Sequence, residues 1–202
     1  MQAEVVSREL LGDVGTKLAH VQTAARVAGH LSVLFDPTEA ELLVAAATLH
    51  DIGYSPRIAR TGFHPLDGAV FLRAEGFNDR LAALVAHHSW AVLTAGLHGI
   101  DDLAEQFPPE HSLLADALVY ADMHSAPDGR MIPAGQRLAD IALRHPQEGS
   151  AERALMLRAA MARVGAALLE VQRSRVLLLP QPRGLLLAAS AVNRLGIQGI
   201  AS

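Results

Sequence analysis

Leu42-Leu43-Val44-Ala45-Ala46-Ala47-Thr48-Leu49-His50-Asp51-Ile52-Gly53 is an apolar helical run that closes on two metal-binding side chains. Adjacent residues on an α-helix point about 100° apart. His50 and Asp51 therefore share one cation only where the helix stops or where a cleft opens between helices. Gly53 is expected to supply that stop as a C-terminal cap. An aspartate at the C-terminal end opposes the helix dipole, and a cation beside it reverses the penalty. Asp51 is misplaced unless something positive sits next to it.

Upstream, Leu11, Val14, Leu18, Val21, Ala25 and Ala28 recur at helical spacing and predict a helix over about 16–34, with His20 on a second apolar stripe beside Ala24, Val27 and Leu31. Asp36-Pro37 breaks it, and Thr38 with Glu41 forms a capping-box pattern for the next helix. Downstream, His64-Pro65 reads as a helix start with proline in the first turn, and that helix stops near Gly76. Asn78 can cap a further helix, which carries Leu81, Leu84, Val85 and His88 on one face. A polar, irregular stretch through Gly96, Gly99, Asp101 and Pro108 precedes a helix with Ala115, Leu118, Val119 and Asp122 on one stripe. Asp128-Gly129 is a turn, Pro133 to His145 a short helix, and Ala151 to Leu179 a long one ended by Pro180 and Pro182. No segment alternates like a strand, so the expected fold class is all-α. Residues 10–145 form the expected core, and residues 146–202 a C-terminal helix and apolar tail that pack on it or extend it. Leu185, Leu186, Leu187 and Val192 in that tail predict a homo-oligomer contact.

A chain of 202 residues with 50% hydrophobic and 19% charged content suits a single globular domain. The net charge of -4 provides no basic field to recruit nucleic acid. Cysteine is absent, which excludes disulfides and thiolate metal sites. A metal here must be held by His, Asp and Glu, a donor set suited to Fe, Mn, Co, Ni or Zn. Met1 to Glu9 has no apolar signal-peptide core, and Arg183 and Arg194 interrupt the apolar tail, so no membrane span is expected. The expected address is the cytoplasm.

Four polar residues, His20, His50, His88 and Asp122, fall on apolar helical faces, and Asp51 adjoins one of them. An unpaired buried carboxylate is expensive, and few Lys or Arg lie near Asp122 in sequence. Imidazoles and carboxylates converging from separate helices favour a metal site over isolated core hydrogen bonds.

In this pattern the chain resembles the HD-domain metal-dependent phosphohydrolases. His20, then His50-Asp51, then Asp122 are similar to that family's H…HD…D signature. His64-Pro65-Leu66-Asp67-Gly68 and His87-His88 resemble the additional elements of its two-metal members. The resemblance covers roughly residues 10–140 and implies an all-α fold. It also implies that His20, His50, Asp51 and Asp122 ligate one divalent metal. Asp51 would bridge to a second ion held by His64 and by His87 or His88, the helical stripe favouring His88. The implied activity is hydrolysis of a nucleotide or other small phosphate ester by a metal-bound hydroxide, with Asp51 central to the chemistry.

The departures narrow the group. Ser89-Trp90-Ala91 follows His87-His88 where cyclic-di-GMP phosphodiesterases carry Gly-Tyr-Pro, and the Glu-Asp pair of guanosine tetraphosphate hydrolases is missing. The pattern is closer to the diadenosine tetraphosphate hydrolases. Relatives such as inositol oxygenase use a similar ligand set, so a di-iron oxygenase is one alternative and a non-catalytic nucleotide- or metal-binding regulatory module another. Lys17, Arg57 and Arg60 are candidate phosphate-binding residues, and Arg130 lies near the same elements. Asp67 and His124 are candidates to orient ligand imidazoles. Trp90 and Tyr54 are read as packing residues, and His30, His98, His111 and His145 as structural or exposed.

Overall fold

Apolar stripes decide which helices form and how they face. The computed structural model describes residues 2–144, 159, 162 and 165–174. In order come α1 (Gln2–Leu11), α2 (Lys17–Leu31), α3 (Pro37–Leu49), α4 (His64–Ala74), α5 (Asp79–His87), α6 (Val92–Ala95), α7 (Leu103–Gln106), α8 (Leu113–Met123) and α9 (Ala134–Arg144). Among the described residues there is no strand, only one isolated bridge between Ser125 and Met131. The fold is all-α, as the spacing predicts. No described helix is long and apolar enough to cross a membrane.

α3 is the hub. It packs against α1, α2, α5 and α8, and Leu43, Ala46, Ala47 and Leu49 are fully buried. Small alanines on this helix let its neighbours approach closely, which brings the side chains at its C-terminal end within reach of α2 and α8. α8 is almost wholly buried from Leu114 to Met123, with Asp122 among the apolar side chains.

Several local expectations are corrected. Leu11 and Val14 do not continue α2, because Gly15 takes a left-handed φ of 51° and separates α1 from it. The cap of α3 is Asp36, whose side chain accepts from Glu39 N at 3.0 Å, with Pro37 in the first turn. Asn78 caps α5 as expected, accepting from Arg80 N. Gly76 ends α4 at φ 77°, with Gly76 N–H on Arg73 O and Phe77 N–H on Leu72 O, the paired bonds of a Schellman stop.

Gly53 has a different role from the one its sequence position suggests. It has no positive φ, and α3 instead runs into a 3-10 turn over Ile52–Tyr54. A Cβ on Gly53 would lie 1.9 Å from His64 O and 2.8 Å from Gly68 N. The glycine lets the backbone after Asp51 cross directly over the first turn of α4. Gly68, four residues into α4, faces the same crossing, where a Cβ on it would lie 3.3 Å from Gly53 N. This contact sets His64 beside Asp51.

Residues 165–174 are helical, with Ala167, Leu168 and Val171 buried in the core. That stretch is part of the expected C-terminal helix. Residues 159 and 162 of that helix are helical as well; its other residues, His145, and the apolar tail with its expected self-association lie outside the described residues.

Candidate metal centre

Two histidines reach the centre by the same local device. His50 and His88 each follow directly on the last residue or turn of a helix. Each turns its ring back so that Nδ1–H donates to a carbonyl three residues earlier: Ala47 O at 2.9 Å and Val85 O at 2.7 Å. Those carbonyls belong to the terminal groups that a helix leaves without partners. The bond satisfies them and fixes the tautomer, leaving Nε2 as a bare lone pair. His20, in the first turn of α2, is held likewise through Nδ1 on Ala126 O at 3.2 Å. A histidine oriented in this way is a preformed metal ligand.

These lone pairs converge. His20 Nε2 and His50 Nε2 are 3.2 Å apart, with Asp122 Oδ1 at 3.1 Å from the first and 3.8 Å from the second. His64 Nε2 and His88 Nε2 are also 3.2 Å apart, with Asp51 Oδ1 at 3.2 Å and 3.7 Å from them. Each set, His20–His50–Asp122 and Asp51–His64–His88, brings its ligand atoms within 4.8 Å of one another. Ligands about 2.0–2.2 Å from a common ion stand roughly 3–3.5 Å apart, so the spacing suits a cation in each set.

Asp51 lies between the sets. Its Oδ1 faces His64 and His88, and its Oδ2 is 3.6 Å from His20 Nε2. Both carboxylates are buried and ionised. Burial raises the pKa of Asp51, but the charges of His50 and Lys17 and a hydrogen bond from His64 outweigh it and hold the group well below its usual value. Burial is likewise overcome at Asp122 by His20 and His50. Burial lowers His50 to about 4 and also lowers His64, favouring the neutral rings a metal requires. At His20 the burial effect is outweighed by the hydrogen bond and charge of Asp122, and its pKa is raised.

The structure sorts the remaining candidates. Lys17 Nζ pairs with Asp51 Oδ2 at 2.8 Å and sits over the Tyr54 ring at 3.5 Å. Tyr54, read from sequence as packing, stacks on the His64 imidazole at 3.9 Å between centroids. Arg57 and Arg60 are exposed and donate to the backbone carbonyls of Glu9 and Ala59. Arg130 is held by Asp128 at 2.8 Å. Asp67 does not orient an imidazole; it accepts from Thr61 N and Thr61 Oγ1, each at 3.0 Å, and so ties down the loop before α4. His124 Nδ1 faces Tyr120 O at 2.8 Å, one turn back along the chain. His30, His98 and His111 are exposed as expected, and the Trp90 side chain lies outside the described ones.

Of the His87-or-His88 alternative, His88 is the residue that joins a ligand set, as the helical stripe favours. His87 joins neither ligand set; its Nε2 donates to Phe107 O at 2.5 Å and its buried Nδ1 has no partner. The chain turns sharply after α5, and the pair divides, with only His88 facing the cluster.

Two residues escaped the sequence reading. Ser89 follows His88 at a left-handed φ of 52°, and its hydroxyl donates to Asp122 Oδ2. Nothing in its type or position signals this. Arg137, near the start of α9, is 8% exposed, with Nη2 3.9 Å from Asp122 Oδ1 and with Nε and Nη1 buried without partners. A signal was present: Arg137 shares the inward stripe of Ala134 and Ile141, where an arginine is out of place.

The family model described as HD domain matches residues 18–160, well over half of the chain. No significant match appears among curated proteins or among solved structures. The matched span contains every residue of both ligand sets, and the chain belongs to the HD domain family.

Proposed function

We propose that this chain is a metal-dependent phosphohydrolase acting on a small phosphate ester, a nucleotide among the candidates. The observation that carries the reading is the convergence of bare imidazole lone pairs. His50 and His88 have Nδ1 committed to backbone carbonyls, so their Nε2 atoms point into the centre as acceptors, and His20 Nε2 lies 3.2 Å from that of His50. Two ring nitrogens 3.2 Å apart, with a carboxylate oxygen 3.1 Å from one of them, have the spacing that a shared cation would fill. Buried polar groups are paired in native proteins, and a divalent ion is the partner this donor set fits.

His20, His50 and Asp122 would hold one ion, His64 and His88 a second, and Asp51 would join the two through its separate oxygens. Divalent Fe, Mn, Co, Ni or Zn at such a pair supplies Lewis acidity and lowers the pKa of a coordinated water. The protein adds charge and position. Two carboxylates do not neutralise two divalent ions together with Lys17 and Arg137, so the centre carries surplus positive charge that draws in a phosphoryl group. Lys17 stands at the edge of the centre, its side chain 30% exposed, where it can pass from Asp51 to a phosphoryl oxygen. Ser89 and Arg137 hold the Asp122 carboxylate in place.

The test is a screen of nucleotides and simple phosphate esters against protein loaded in turn with each of these metals, read as phosphate release. Turnover that needs metal and is lost in His50→Ala supports the reading. Tight nucleotide binding without cleavage under every metal would shift it to a regulatory binding module. Oxygen uptake by the iron-loaded protein would shift it to an oxygenase.

A further inference from the structure

His88 and Ser89 are consecutive, and each serves a different ligand set. His88 Nε2 lies 3.2 Å from His64 Nε2 and 3.7 Å from Asp51 Oδ1. The Ser89 hydroxyl donates to Asp122 Oδ2, on the other set. Neighbouring side chains reach both sets because the backbone bends between them. His88 stands at φ -55° and ψ 146°, Ser89 at φ 52° and ψ 27°. Those are the dihedrals of the two central residues of a type II turn, whose second central position favours glycine or asparagine. Here it is serine, the only non-glycine residue with a positive φ among the described residues. Backbone strain of this kind collects at functional sites, and it draws attention to what the hydroxyl does.

The two oxygens of Asp122 have separate partners. Oδ1 is the oxygen that meets the surrounding nitrogens: His20 Nε2 at 3.1 Å, His50 Nε2 at 3.8 Å and Arg137 Nη2 at 3.9 Å. Oδ2 takes the Ser89 hydroxyl. A bond from a hydroxyl to an ionised carboxylate is of the stronger, charge-assisted kind. A carboxylate without such a partner can turn and offer both oxygens to one cation. His20, His50, Asp122 Oδ1 and Asp51 Oδ2 already present four donor atoms to the inner set. A second oxygen from Asp122 would take a further place, whereas a catalytic ion keeps a position that the protein does not fill.

We propose that Ser89 is a positioning residue for the reaction. By occupying Oδ2 it restricts Asp122 to one-oxygen ligation and keeps a place on the inner ion open to a phosphoryl oxygen. The proposal rests on the hydrolase reading of the centre and deepens it: the inner ion, and not the outer one alone, takes part in holding the phosphoryl group.

The test uses the full Mn2+-loaded chain, titrated calorimetrically with inorganic phosphate, with bound Mn2+ counted by elemental analysis. Ser89→Gly keeps the left-handed turn and removes the hydroxyl. Ser89→Thr keeps the hydroxyl and strains the turn, since a β-branched residue is an outlier at positive φ. Ser89→Gly should retain both ions and lose phosphate affinity by roughly 10–100-fold, the scale for partners of metal ligands, while Ser89→Thr stays within about threefold of wild type. A residue that served only the turn would give the reverse order, with Ser89→Gly like wild type and Ser89→Thr impaired, and that result would overturn the proposal. Wild-type protein that takes up Mn2+ but does not bind phosphate would overturn it as well. Crystals of the wild type with Mn2+ give a readout that needs no variant. Oδ1 should be the sole Asp122 ligand of the inner ion, with Oδ2 on Ser89; both oxygens on the ion would contradict the proposal. Ser89-dependent phosphate affinity without hydrolysis of any ester would keep the positioning role and remove the hydrolase reading. Ester hydrolysis as fast in Ser89→Gly as in wild type would do the reverse.

Discussion

The two ligand sets are built from similar side chains, yet the fold holds them differently. His20, His50 and Asp122 come from α2, α3 and α8, the packed interior of the bundle, and their side chains are 2%, 0% and 7% exposed. Asp51, His64 and His88 come from a turn, a helix start and a kink after α5. His64 is 23% exposed and rests on Tyr54. The first set is part of the core, so an ion bound there would be shielded by the bundle and should exchange slowly. The second set faces the mouth and depends on the Gly53–Gly68 crossing for its geometry. An inner ion held by packing and an outer ion held by a turn should differ in affinity, exchange and sensitivity to mutation.

The largest effect is expected where the sets meet. Asp51→Asn keeps the shape and removes the charge that two cations would share. Turnover should fall by at least roughly 10²–10³-fold, the scale of losing one charge-stabilising group, with weaker binding of both ions and an unchanged helical circular dichroism spectrum. Retained turnover in this variant would mean that the sets do not act as one centre.

Chelation comes next. Removing metal would leave the buried ring nitrogens of His20 and His50 3.2 Å apart without a shared ion. At a free-metal concentration 1,000 times Kd the bound ion contributes about 4 kcal/mol, so stripping it should lower the thermal midpoint by roughly 8–16 °C. Differential scanning calorimetry with and without chelator checks this; coincident midpoints would place no ion in the core set.

The halves separate most cleanly in a pair of variants. His64→Ala should lose one ion per chain and most activity while the inner ion remains, as counted by elemental analysis. Gly53→Ala places a methyl group against the His64 carbonyl. It should cost about 1–3 kcal/mol by overpacking and weaken the outer ion while sparing the inner one. Equal loss of both ions in either variant would erase the distinction between the sets.

The smallest effect is a pH slope in metal-free protein. Burial holds His50 down at about 4 and lowers His64 as well, so in the native state both rings resist protons that the unfolded chain accepts near 6.5. Native protein therefore loses stability as pH falls from about 6.5 toward 4. His20, whose pKa is raised, acts in the opposite sense, and its contribution is lost as pH rises through that raised value. Denaturant midpoints should decline across this window in wild type and decline less in His50→Gln. A flat wild-type profile would contradict the neutral, buried state of His50.

Much of this was legible in the sequence because it rests on periodicity. His20, His50, His88 and Asp122 stand on helical stripes that must be buried, and a polar side chain at such a position declares itself. The proline after His64 predicted only the start of α4; as a ligand, His64 was legible only through the family resemblance of His64-Pro65-Leu66-Asp67-Gly68. What sequence concealed depends on backbone crossings. Gly53 looks like a cap, and only the approach of α4 reveals that a Cβ cannot fit there. The division of His87 from His88 comes from the left-handed Ser89 and the carbonyl of Phe107, some twenty residues away. Arg137 lies beyond the ligands in the chain and reaches Asp122 only because α9 folds back on α8.

The central claim is tested most directly by anomalous diffraction from crystals of the full chain grown with Mn2+. Two peaks are predicted, one among His20, His50 and Asp122 and one among His64, His88 and Asp51, with a side-chain oxygen of Asp51 ligating each ion. Well-ordered crystals with no anomalous peak at either set, or a peak bound only elsewhere, would contradict it.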